Sequence, residues 1–109
     1  MTKAVPANLL AGLPAAAEGE VFTELLARPR IRLERIVSHG QATPEGEPMV
    51  QAHDEWVLLL EGAARIRVED SDEIPLVPGD YLLIAAGQNH WVSWTASDRP
   101  TVWLALHLG

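Results

Sequence analysis

Two stretches decide how this chain is read: His53-Asp54-Glu55-Trp56-Val57-Leu58-Leu59-Leu60-Glu61-Gly62, and Gly87-Gln88-Asn89-His90-Trp91-Val92-Ser93-Trp94. Residues 56–60 form an apolar run too short for a helix and long enough for a strand, closed by Glu61-Gly62. Beyond Gly62, Ala64, Ile66 and Val68 alternate with Arg65, Arg67 and Glu69, the period of a half-buried strand. Asp70-Ser71-Asp72 turns the chain, Ile74 and Leu76 make a short strand, and Pro78-Gly79-Asp80 turns it again into residues 81–84. After the turn at Gly87-Gln88-Asn89, residues 90–95 place His90, Val92 and Trp94 on one face, and residues 101–108 make the last strand.

Upstream, Ile31, Leu33, Arg35 and Val37 alternate with Arg30, Arg32, Glu34 and Ile36, which predicts a strand over 30–38 whose arginines lie on its solvent side. Residues 41–48 hold Pro44, Gly46 and Pro48 and read as a loop, after which 49–53 extend again. Val21/Leu25 and Phe22/Leu26 recur at i,i+4, predicting a short amphipathic helix over 20–27 that stops before Pro29. A strand is the alternative, supported by the Val and Phe content. Residues 1–20, rich in Ala, Pro and Gly, read as an irregular arm lying on the domain. The division expected is an arm with a short helix over 1–29 and a β-domain over 30–109.

Strand signals recurring every eight to twelve residues, with no room for crossover helices, predict an all-β sandwich or barrel. At 109 residues with 48% hydrophobic composition, the chain is long enough to bury a core of its own. It has no cysteine, so any metal must be held by His, carboxylate, amide or water, and the lack of disulfides fits a cytoplasmic protein. No segment approaches the ~20 apolar residues of a membrane span, so no membrane partner is expected. A formal charge of −7 without a basic stripe argues against nucleic acid.

The same stretches resemble the cupin family, whose fold is a double-stranded β-helix built as a jelly-roll barrel. The resemblance covers roughly residues 30–108. Glu55 and Gly62 fit the end of the first cupin motif, Glu followed after six residues by Gly. Gly79, Gly87 and His90 fit the second, with Ala85 where proline is usual and Trp94 where asparagine is usual. In metal-binding cupins the first motif also supplies His-x-His ahead of the Glu; here those positions are Met49 and Gln51.

Three functional readings follow. In the first, His53, Glu55 and His90 hold a divalent ion (Fe, Mn, Ni or Zn) with Gln51 or water completing the shell, because His53 and Glu55 at i,i+2 share a strand face. The resemblance then implies a dioxygenase- or isomerase-type enzyme. In the second, the barrel mouth is a metal-independent site that binds or senses a small molecule, with Met49 and Trp94 in the pocket beside the polar groups. In the third the barrel is a structural dimer, and a homodimer is compatible with all three readings. His107, near the end of the chain, reads more readily as exposed than as a pocket residue, and Arg35 competes with His90 as a partner for Glu55 if its strand faces the interior.

Overall fold

The structure, a computed structural model, describes residues 3–15 and 18–109. Its elements are eight strands: β1 (Val21–Arg28), β2 (Ile31–Ser38), β3 (Asp54–Glu61), β4 (Ala64–Val68), β5 (Ile74–Leu76), β6 (Tyr81–Ile84), β7 (His90–Thr95) and β8 (Thr101–Leu108). They form a five-stranded sheet ordered β1-β2-β8-β3-β6 and a three-stranded sheet ordered β5-β4-β7, with antiparallel pairing throughout. This is the all-β architecture expected from the strand rhythm, in the jelly-roll form that the cupin resemblance implies, and no helix occurs among the described residues, long and apolar enough for a membrane or otherwise.

The helix expected over 20–27 is a strand instead. Eight residues cannot repay helix nucleation without tertiary packing, and here the packing is offered by a neighbouring strand. β1 pairs with β2 from Val21↔Val37 to Arg28↔Ile31, so its β-branched and aromatic residues add to the sheet edge. A bulge at Leu25 interrupts the alternation, so the apolar residues of β1 fall on both parities and lack the period of a regular strand.

The core lies between the sheets. Val57, Leu59, Trp103 and Ala105 from the large sheet meet Ala64, Ile66 and Leu76 from the small one. Each comes from the inward parity of its strand, as in Glu55-Val57-Leu59 of β3. Gly62 joins β3 to β4 at φ 89°, where an added Cβ would lie 2.5 Å from Thr101 Oγ1. Only glycine fits this corner.

The N-terminal arm is held on the outer side. Arg35 donates from its guanidinium to the carbonyls of Leu9 (3.2 Å) and Ala11 (3.1 Å), and His39 Nε2 donates to the Pro14 carbonyl at 3.2 Å. Arg35 therefore points away from Glu55 and is no competitor for it.

Candidate functional site at the barrel mouth

One register row builds half of the site. Arg32, His107, Glu55 and Ile84 are Cα partners across β2, β8, β3 and β6, so their side chains stand side by side on the inner face. The other half comes from the segment before β3 and from β7. Met49 and His90 exchange both backbone hydrogen bonds (2.8 and 2.9 Å), and Gly87 N donates to Gln51 O at 2.8 Å. These bonds draw Met49, Gln51, Glu55 and His90 around one cavity of about 280 Å³. Ile36, Val57, Ile66, Ile84, Val92 and Trp103 make its apolar wall. The substitution of Ala85 for proline has a local use, since its N–H donates to Gln88 Oε1 at 2.9 Å.

The polar groups are buried and chained. His107 is 5% exposed, Glu55 7% and His90 1%. His107 Nε2 donates to Glu34 Oε1 at 2.8 Å and stands 3.8 Å from Glu55 Oε2; Glu55 Oε1 stands 3.6 Å from His90 Nε2. The last two separations are longer than ordinary hydrogen bonds, and Glu55 faces both rings. His90 Nδ1 donates to the Gln88 carbonyl at 3.2 Å, which leaves Nε2 toward Glu55. Burial by itself lowers the His90 pKa, but Glu55 and the Gln88 carbonyl outweigh it and hold the pKa above the ordinary imidazole value. Two buried polar atoms at the cavity, His90 Nε2 and Gln51 Oε1, have no hydrogen-bond partner.

Two of the expected site residues lie elsewhere. His53 precedes β3 in a bend, so strand alternation does not carry it to the face of Glu55. Its Nε2 meets His107 Nδ1 at 3.0 Å, and it lines a separate cleft. Trp94 is 39% exposed and lies under the Arg65 guanidinium, 4.9 Å from the ring centroid. A bulge at Ser93, between the pairs Ile66↔Val92 and Arg65↔Trp94, reverses the parity of β7 and turns Trp94 outward.

Four lining residues were missed or misplaced by the sequence. His107 is buried rather than exposed, Trp103 walls the cavity rather than only filling the core, Arg32 borders the cavity while still reaching solvent, and Glu34 lines it half-buried. The available signal was parity: His107 alternates with Trp103 and Ala105, and Glu34 with Ile36.

Nothing in the donor set reproduces a strong metal site. The four positions offer one imidazole, one carboxylate, an amide oxygen and a thioether, which mix hard and soft preferences and lack the second and third imidazoles. Among the described residues no three His, Cys, Asp or Glu side chains converge so as to hold an ion. The residues therefore do not fit the metal that the cupin resemblance implies.

Two antiparallel sheets closing on a cavity with polar side chains at its mouth define the class of fold as a jelly-roll β-barrel. Residues 36–107 match the model of the cupin domain, and the chain belongs to the cupin family. Among solved structures, a Ralstonia eutropha protein described as a "putative mannose-6-phosphate isomerase" is 42% identical, with a TM-score of 0.92 over 96% of this chain and 98% of that one. A cupin superfamily protein of Desulfitobacterium hafniense is 21% identical with a TM-score of 0.78, over 99% of this chain and 94% of that one. The DMSP lyase DddQ of Ruegeria pomeroyi is 21% identical with a TM-score of 0.69, over 83% of this chain and 47% of that one. The last two likenesses are of fold. No curated protein matches the chain.

Proposed function

We propose that the cavity binds a small polar organic molecule without a resident metal, and that Glu55 and His90 are its acid–base pair. The observation that carries this is the juxtaposition of a buried carboxylate and a buried imidazole, 3.6 Å apart and facing one cavity, beside the unpartnered Gln51 Oε1. Unsatisfied buried polar atoms are costly, and a ligand hydroxyl or amine reaching them recovers that cost.

The reaction type supported by this pair is isomerisation by proton transfer. The Glu55 carboxylate takes a proton from a carbon beside a carbonyl while protonated His90 gives one to the carbonyl oxygen, and reversal at the neighbouring carbon completes the exchange. The name given to the 42% identical Ralstonia protein agrees with this class. The chemistry needs no group beyond those lining the cavity.

A homodimer is the proposed assembly. One register row on the outer face of the large sheet, Leu26, Leu33, Leu106, Trp56 and Leu83, is apolar across all five strands. A solvated sheet face normally alternates to polar residues, so this row calls for cover.

The ligand reading is tested by following tryptophan fluorescence against a panel of polar metabolites, with Trp103→Phe identifying the cavity's contribution. A saturable response lost in Trp103→Phe and in Glu55→Gln is expected. No response to any member of the panel overturns it.

A further inference from the structure

Beside the cavity lies a second concavity of about 220 Å³, whose wall includes Arg28, Arg30, Arg32, His53 and His107. Arg32 and His107 line both spaces, so the two meet there. No Asp or Glu side chain lines the cleft, although the chain has 15 acidic residues against 8 Lys and Arg. Three arginines in one cleft of an acidic protein make a local positive field against the sign of the whole.

Carboxylates line the cavity near Arg32, but none of the described residues forms an ion pair with it. Glu20 and Glu34 line the cavity with Arg32, but Glu20 Oε2 accepts from the Ser38 hydroxyl at 2.5 Å and Glu34 Oε1 accepts from His107 at 2.8 Å. Among the described residues Arg32 itself makes no hydrogen bond or ion pair, which leaves its planar fork of donors open. The cavity has the opposite character. Gln51 Oε1 is a buried acceptor without a donor, and the Glu55 oxygens have no hydrogen-bond donor within range.

We infer that the ligand is an anionic polyhydroxy compound, with its hydroxyls in the cavity against Gln51, Glu55 and His90 and its carboxylate or phosphate on Arg32 at the junction with the basic cleft. The inference rests on the small-molecule reading of the cavity and adds its polarity. An anion cannot sit beside Glu55, whereas hydroxyl donors satisfy Glu55 and Gln51. Arg28, Arg30 and His53 strengthen the field around the anionic end, and of the three arginines Arg32 is the one that lines both spaces. A charge-assisted, two-pronged contact of this kind discriminates strongly between anionic and neutral ligands.

The test is an NMR titration of the ¹⁵N-labelled full chain, reading the Gln51 side-chain amide and the Arg32 Nε–H signals. The probes are glucose 6-phosphate, gluconate, glucose, glucosamine and inorganic phosphate. Glucose 6-phosphate or gluconate is expected to move both signals, and the tighter of the two names the anion. Glucose and glucosamine are expected to bind more weakly, and inorganic phosphate to move Arg32 alone. Arg32→Ala should weaken the bound anion about tenfold to a hundredfold and leave glucose unchanged, with Arg32→Lys recovering part of the loss. Because Arg32 is exposed, these variants keep the fold, which the dispersion of the same spectra verifies. Equal anion affinity in wild type and Arg32→Ala, or tighter binding of glucose or glucosamine, overturns the inference and leaves the small-molecule reading intact. A Gln51 signal unmoved by every probe overturns both.

Discussion

His107 gives its Nε2 proton to Glu34 at 2.8 Å, with both side chains nearly buried (6% and 13% exposed) and on the central strands of the large sheet. Removing one member strands the other's polar group in the interior. His107→Ala is expected to destabilise the fold by about 3 kcal/mol, measured by urea unfolding. A loss under about 1 kcal/mol would mean that Glu34 reaches solvent freely.

The His90–Glu55 pair sets a pH dependence. The folded pKa of His90 lies above its unfolded value of about 6.5, so the stabilisation is complete below that pH and is lost as pH rises through the folded value. Glu55→Gln removes its main source. The stability gap between wild type and Glu55→Gln should therefore be largest near about pH 6 and narrow toward about pH 9. A gap that widens with rising pH contradicts the assignment.

Trp94 and Gly62 separate outer-surface from corner effects. Trp94→Ala loses a cation–π contact on an exposed face, so it should cost about 1 kcal/mol or less and leave cavity binding unchanged. Gly62→Ala must displace Thr101 and the Pro100 carbonyl and should cost about 3 kcal/mol or more. Gly79→Ala, at φ 99° with open space around it, should cost only the backbone strain of about 1–2 kcal/mol. Thermal and urea unfolding of the three variants orders them, and equal costs at Gly62 and Gly79 would contradict the crowding at the corner.

The strand rhythm of residues 31–108 was legible because each strand is closed by a turn residue and keeps its own alternation. Parity names two faces, however, without saying which is inside. Arg32 looked like a solvent residue only because charged side chains usually are, whereas here its face, shared with Glu34, borders a polar cavity. Trp94 failed for another reason: a single extra residue at Ser93 reverses the alternation, and no residue type in 90–95 marks that bulge. His53 failed because strand pairing begins one residue after it. Glu55, His90, Met49 and Gln51 were brought together as the motif resemblance implied, since the Met49–His90 backbone bridge and the Gly87–Gln51 bond join their segments.

The outer apolar row makes a separate prediction about assembly. Leu83 is 55% exposed at the centre of β6, so Leu83→Glu removes no core contact and places a charge in the proposed dimer face. Light scattering after size exclusion should give a dimer for wild type and a monomer for the variant. A monomeric wild type would contradict the assembly and leave the cavity reading untouched.

The central claim is that Glu55, His90 and Gln51 form an organic-ligand site that works without a resident metal. It is tested most directly by ligand-induced thermal stabilisation measured in chelator. A hydroxylated acid or phosphate should raise the melting temperature of wild type, by the same amount with EDTA as without, and have no effect on His90→Ala or Glu55→Gln. A shift that disappears in EDTA and returns with added Fe, Mn, Ni or Zn, or one that survives in both variants, would contradict it.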